Sequence, residues 1–329
     1  MPTNDEQRKT DSGPAQEAKS AHPIRGYVFI AAATLCWGVS ATLGRAVFTG
    51  KLIEGQGLAP IGPLILAQSR TTISLLVLAP VLLLRRGPAS LAMSRADALR
   101  ALWIGMAGVA GSNFFYYFAI QKTNVATAII LQYIAPVWVL LYMVARGLQR
   151  ATAQRVVAVL MAVAGSVAVV GAGSLRLDTV GVIAAQLAAV TFAYYNVAIP
   201  PLLARHDRWK VLLYVLLGAV LFWLAVNPPW RVAAAHYSAQ QWGFLAVFAM
   251  TSVLLPFSFY IAGLQYLDAT RAIVTSCLEP VFSIVIAALA LGELVRPLQV
   301  VGIVVVLAAT VVVQWPGRRE PVAVVEPME

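Results

Sequence analysis

Of the chain's 329 residues, 60% are hydrophobic and 12% are charged, about half the charged share of an ordinary soluble domain. Too few polar residues remain to cover a soluble surface, so a pair of soluble domains is excluded. The formal net charge of +10 comes from basic residues scattered in short loops with no nucleic-acid motif. It reads as loop charge facing an anionic cytoplasmic leaflet. The two cysteines, Cys36 and Cys277, both fall inside predicted spans, which argues against a disulfide framework.

In chain order, residues 1–25 are predicted to form a disordered cytoplasmic tail. The first 22 are polar and charged and lack the apolar core of a cleavable signal. Ten apolar stretches follow, at approximately 26–48, 61–84, 98–120, 124–145, 153–172, 178–203, 209–227, 240–264, 269–291 and 297–315. Each is long enough to cross about 30 Å of hydrocarbon. Helices are the expected form, because strand alternation is absent and an unpaired backbone cannot sit in lipid. Asp97, Thr152, Asp178 and Asp268 stand where helix N-caps belong, with Asn124 in the same role. Trp103, Trp209, Trp242 and Trp315 sit near span ends as interface anchors. Residues 316–329 are a second cytoplasmic tail.

Two segments repeat at a constant offset of 144 residues. Phe115-Tyr116-Tyr117-Phe118-Ala119-Ile120-Gln121 runs on to Pro136-Val137, and Phe259-Tyr260-Ile261-Ala262-Gly263-Leu264-Gln265 to Pro280-Val281. The offset pairs Asn124 with Asp268, Ala128 with Ala272 and Ile129 with Ile273. A weaker match at offset 155 places Trp37-Gly38 over Phe192-Ala193. Five spans per half is odd, so the second half must enter the membrane in the opposite sense. With the N-terminus inside, only Arg45, Lys51, Lys122, Arg176, Arg231 and Arg296 fall outside. Arg70 lies within a span, and the remaining 17 of the 24 basic residues are cytoplasmic. The expected architecture is an all-α membrane protein with ten transmembrane helices in two inverted five-helix repeats. Both termini should be cytoplasmic, and spans three and four should pack beside spans eight and nine.

The second half ends with Leu278-Glu279-Pro280-Val281-Phe282, then Leu291-Gly292-Glu293, then Pro297-Leu298-Gln299, and the first span carries Cys36-Trp37-Gly38. In these strings the chain resembles EamA-type members of the drug/metabolite transporter superfamily. The resemblance implies two repeats, at 26–172 and 173–315, in a bacterial inner (plasma) membrane. It also implies transport of a small organic metabolite, such as an amino acid or related compound, with export as the leading direction. The first half departs from the pattern: Ala135 stands opposite Glu279, and Leu148-Gln149 opposite Gly292-Glu293.

Glu279 is the foremost candidate, because a carboxylate near the membrane centre costs at least about 2.5–3.5 kcal/mol and is by default functional. It could take a proton, receive a substrate ammonium or anchor a helix. Arg70 is its natural counterpart, either as a substrate-binding group or in a standing ion pair. Pro136 and Pro280 are matched helix-kink positions, where a lost donor frees a carbonyl one turn back. Trp37, Ser40, Gln68, Asn113, Tyr116, Tyr117, Gln132, Tyr133, Tyr195, Asn196 and Ser276 are the polar and aromatic candidates for a cavity lining. His22, His206 and His236 all fall in tails or loops. No metal-ligand spacing, nucleotide loop or catalytic triad is present, so no cofactor is expected and the chain is not read as an enzyme. A membrane-embedded lipid or prenyl transferase, the rival class, lacks its acidic or histidine cluster. The expected partners are a small-molecule substrate and membrane lipid, not nucleic acid. A coupling proton and a homo-oligomeric state are left open.

Overall fold

The computed structural model describes residues 23–48, 61–171 and 178–314. Residues 1–22 and 316–329 of the two tails, with Lys51, Arg176 and Trp315, therefore lie outside the described residues, as does the side chain of Arg45. Pro23, Ile24 and Arg25, placed in the first tail from sequence, instead open the first helix. The described residues contain helices and no strand. In chain order the helices are α1 (Pro23–Phe48), α2 (Pro63–Arg86), α3 (Arg95–Trp103), α4 (Gly111–Lys122), α5 (Val125–Gln132), α6 (Ala135–Ala145), α7 (Ala153–Val170) and α8 (Thr179–Ala198). They continue with α9 (Pro200–Leu203), α10 (Arg208–Val226), α11 (Pro229–Ala233), α12 (Ala239–Ala249), α13 (Leu255–Leu264), α14 (Ala269–Ser276), α15 (Glu279–Leu291) and α16 (Pro297–Gln314). Wider π-helical turns, Ile104–Ala110 and Met250–Leu254, join α3 to α4 and α12 to α13.

Nine helical stretches among the described residues are long and apolar enough to cross a bilayer, and they make this a multi-pass membrane protein. The continuous helical stretch 95–122 is not among them. It places glycines at a helix contact and Ser112, Asn113, Tyr116 and Tyr117 beside a cavity, where other spans carry aliphatic residues.

The helix starts follow local chemistry. Asn124, Asp178 and Asp268 accept from the backbone N–H three residues on, at 2.8, 2.9 and 2.9 Å, and Thr152 does so at 3.3 Å. Asp97 is the exception. Ser94 caps α3 instead, and Asp97, in the first turn, turns its carboxylate to His206 (2.8 Å) and Arg205 (3.1 Å) in the α9–α10 loop. Burial and the His206 contact made Asp97 a tertiary tie rather than a cap.

The two halves interlock. α1 packs on α13, α14 and α15, just as α8 packs on α4, α5 and α6. α7 packs along α16, and α10 against α2, α3 and the first π-helical turn. Spans three and eight are thus not principal neighbours: each is claimed by the opposite half's first span. Spans four and nine do meet, through α6 and α14. The closest approaches use glycine. A Cβ on Gly105 would stand 1.9 Å from the Val215 carbonyl oxygen, and one on Gly218 2.0 Å from that of Leu102. Only hydrogen at these positions lets the backbones touch, a device suited to lipid, where packing rather than water exclusion joins helices.

Candidate functional site

Both proline-bearing spans break near mid-length. α5 ends at Gln132 and α6 restarts at Ala135; α14 ends at Ser276 and α15 restarts at Glu279. Pro136 and Pro280 are second residues of the restarted helices, a position where the missing N–H costs nothing. Each proline withdraws the donor that would have met the carbonyl four residues earlier, on Gln132 and Ser276. Both prolines are buried.

These breaks border a cavity of about 190 Å³. Its wall is built in pairs at the repeat offset of 144: Gly108 and Ser252, Asn113 and Phe257, Ile129 and Ile273, Gln132 and Ser276, Tyr133 and Cys277, Ala135 and Glu279. Trp37 and Phe192, at offset 155, make a further pair. Aromatic rings interlock behind it. Trp37 meets Phe257 (5.8 Å, edge-on) and Tyr260 (5.5 Å), and Tyr195 meets Phe257 (5.6 Å, edge-on). Trp37 Nε1 donates to the Ser252 carbonyl in the second π-helical turn at 3.1 Å, fixing α1 against the opposite half.

The charges break this symmetry. Arg70 donates from Nη2 to Asn113 Oδ1 and lies over the rings of Tyr117 (5.7 Å) and Phe248 (5.9 Å). Its buried Nε has no protein acceptor. Glu279 opens α15, so its carboxylate sits at the positive end of a helix dipole created by the break. Among the described residues Arg70 and Glu279 make no ion pair within 4.0 Å. The standing ion pair considered from sequence is therefore absent, because Asn113 and two aromatic faces occupy the guanidinium.

Of the sequence candidates, Trp37, Arg70, Asn113, Tyr116, Tyr117, Gln132, Tyr133, Tyr195, Ser276 and Glu279 line the cavity. Three do not. Gln68 accepts from Asn227 Nδ2 at 2.5 Å in a buried amide pair. Asn196 accepts from the Tyr260 hydroxyl at 2.6 Å. Ser40 is buried, with no partner for its hydroxyl. Ser112, Phe192, Ser252, Phe257 and Cys277 line the wall without having been singled out as lining. The repeat offsets carry that signal for most of them: Phe257 answers Asn113, Cys277 answers Tyr133, and Phe192 answers Trp37.

A broken-helix cavity at the contact of two similar halves defines the class as a membrane transporter. The model of the EamA-like transporter family matches residues 24–171 and 179–315. The chain belongs to the EamA-like transporter family. An uncharacterized inner membrane transporter, YicL, from Salmonella typhimurium is 22% identical over 90% of this chain and 97% of its own. The threonine/homoserine exporter RhtA of the same species is 25% identical over 79% and 85%. The pseudopaline exporter CntI of Pseudomonas aeruginosa is 28% identical over 54% of this chain and 62% of its own. A crystal structure 19% identical to the chain superposes with a TM-score of 0.71, covering 88% of this chain and 95% of that one, and shares its fold.

Proposed function

We propose that the protein exports a small organic zwitterion, such as an amino acid or related metabolite, across the bacterial inner membrane. The observation that carries this reading is one cavity holding a guanidinium and a carboxylate that do not neutralise each other. In low dielectric each favours an opposite charge nearby. A zwitterion supplies both, its carboxylate toward Arg70 and its ammonium toward Glu279. Trp37, Tyr116, Tyr117, Tyr133 and Ser276 take the remaining surface, with Gln68 and Asn196 tying helices together behind them and Ser40 buried nearby without a partner for its hydroxyl. The relatives named as exporters, one of threonine and homoserine and one of pseudopaline, support direction and solute class.

The same reading takes the stretch 95–122 as a tenth crossing. This gives inverted five-helix repeats at 26–172 and 173–315 with both termini cytoplasmic. Glu279 exchanges its substrate contact for a proton, so that the proton gradient drives export. The matched helix breaks, matched π-helical turns and reciprocal packing of α1 on α13 and α8 on α4 support the duplication.

Counterflow in proteoliposomes tests the function. Vesicles preloaded with a mixture of unlabelled L-amino acids should take up at least one labelled amino acid unchanged. Empty vesicles and Glu279→Gln protein should not. A protein that moves none of them is not an amino-acid transporter.

A further inference from the structure

We propose that Asn113 is a positioning residue that sets specificity for an anionic substrate group by aiming the Arg70 guanidinium. The proposal rests on the zwitterion reading above and deepens it.

Asn113 sits three residues beyond the π-helical turn Ile104–Ala110. Its Nδ2 donates to the carbonyl of Val109 at 2.8 Å, inside that turn. A carboxamide has one acceptor oxygen and one amine, so this bond dictates which way the oxygen points. The oxygen accepts from Arg70 Nη2. A chain of two bonds therefore runs from an irregular backbone turn, through one amide, to the cavity's cation. Tyr117 and Phe248 hold the guanidinium on its faces, at 5.7 and 5.9 Å. Restrained by one hydrogen bond and two rings, Arg70 presents its remaining donors as a fork, which suits a planar carboxylate.

The partner must be neutral for this to work. Asn113 orients the guanidinium without cancelling its charge, whereas an aspartate there would form the ion pair and consume it. The repeat strengthens the point. The position matched to Asn113 is Phe257, which also lines the cavity but cannot hold a cation in this way. The acid end of the solute is thus assigned to the first half, and the ammonium end to Glu279 in the second.

The test compares each amino acid with its amide, which keeps size and ammonium but loses the carboxylate charge. Purified protein in detergent is titrated with the twenty common L-amino acids by thermal shift, and the best binder is then set against its amide. Wild type should favour the acid by about 100-fold, and Asn113→Ala should cut that ratio about 10-fold. Asn113→Asp should abolish the ratio. In counterflow the KM for the acid should rise while the maximal rate holds. A merely structural asparagine would weaken acid and amide equally and leave the ratio intact. Asn113→Asp is nearly isosteric, so it keeps the test open if the alanine variant does not fold. An unchanged ratio in a folded Asn113→Asp variant overturns the proposal. Amino-acid binding without preference over the amide overturns it too, but leaves the export reading standing. No binding by any amino acid removes both.

Discussion

Replacing Glu279 with glutamine separates a working carboxylate from a structural one, and the geometry says which to expect. Had Glu279 been paired with Arg70, removing its charge would leave a buried cation alone, a loss of about 3–5 kcal/mol. No such pair exists within 4.0 Å, since Arg70 is held by Asn113, Tyr117 and Phe248. What glutamine gives up is the attraction between a carboxylate and the start of α15, about 0.3–1 kcal/mol, together with a longer-range attraction to Arg70. What it recovers is part of the cost of holding a charge at that depth, about 2.5–3.5 kcal/mol. The recovered part opposes the loss, so the variant should not be markedly less stable than wild type. A loss of 1 kcal/mol lowers the melting temperature by about 2–4 °C in domains of roughly 150–250 residues and by less in a longer chain. For these 329 residues the melting temperature of the variant should fall by no more than about 3 °C. Transport should nevertheless fall below a tenth of wild type, or lose its pH dependence. The assay pairs thermal denaturation in detergent with counterflow at pH 6 and pH 8. A drop of about 10 °C would mean that Glu279 is a structural ion-pair member after all. Wild-type transport with wild-type pH dependence in a stable variant would remove the residue from the mechanism.

Gly105→Ala should destabilise by about 1–3 kcal/mol, because the new Cβ would lie 1.9 Å from the Val215 carbonyl oxygen and 2.9 Å from the Ala219 nitrogen. Gly243→Ala, where nothing lies within 4 Å, is the control, and equal melts would refute the close-contact argument. The hydrogen bond with His206 and the charge of Arg205 hold the Asp97 carboxyl below its ordinary range, against the upward push of burial. A depressed carboxylate stabilises the fold above its unfolded pKa of about 3.9. That contribution is lost as pH falls through the lower folded value. Asp97→Asn should therefore melt below wild type at pH 6, with the gap closing below about pH 4. A gap that instead persists under acid would assign the effect to shape rather than charge.

The membrane class, the helical content and most helix starts were legible in the sequence, because each rests on local chemistry. Runs of apolar residues set the spans, and Asn124, Thr152, Asp178 and Asp268 cap as their side chains require. Asp97 was misread as a cap because its role depends on His206, 109 residues away. The π-helical turns were not legible either, since a widened turn needs no special residue type. Among the site candidates, Gln68 and Asn196 stand off the cavity wall for a shared reason. A polar residue at membrane depth must find a partner, and sequence does not say whether that partner is solute or another helix. Here Asn227 and the Tyr260 hydroxyl took them.

The sequence offsets explain both what was visible and what was hidden at the cavity. Positions matched at 144 or 155 residues stand around one central space, so finding one wall residue finds its mate. Seven such pairs line the cavity. A cage whose facing walls were chemically identical would bind a solute equally well in either of two orientations. The charged and polar substitutions remove that degeneracy: Asn113 faces Phe257, Tyr133 faces Cys277 and Glu279 faces Ala135 across the repeat. The shared elements, the paired prolines, broken helices and π-helical turns, are the ones that shape the cavity and let either half rearrange. On the proposed reading the unshared residues are the ones that distinguish solutes. Swapping Glu279 for its mate's alanine and Ala135 for glutamate moves the carboxylate to the pseudo-equivalent wall. If Glu279 receives the solute ammonium and Arg70 its carboxylate, the double variant should fold and keep a cavity of similar size but bind amino acid and amide alike more weakly, because both carry the ammonium, while the preference for the acid stays with Arg70 and Asn113. Wild-type affinity for both compounds in the double variant would refute the role of the carboxylate's position and locate binding in the shared aromatic walls.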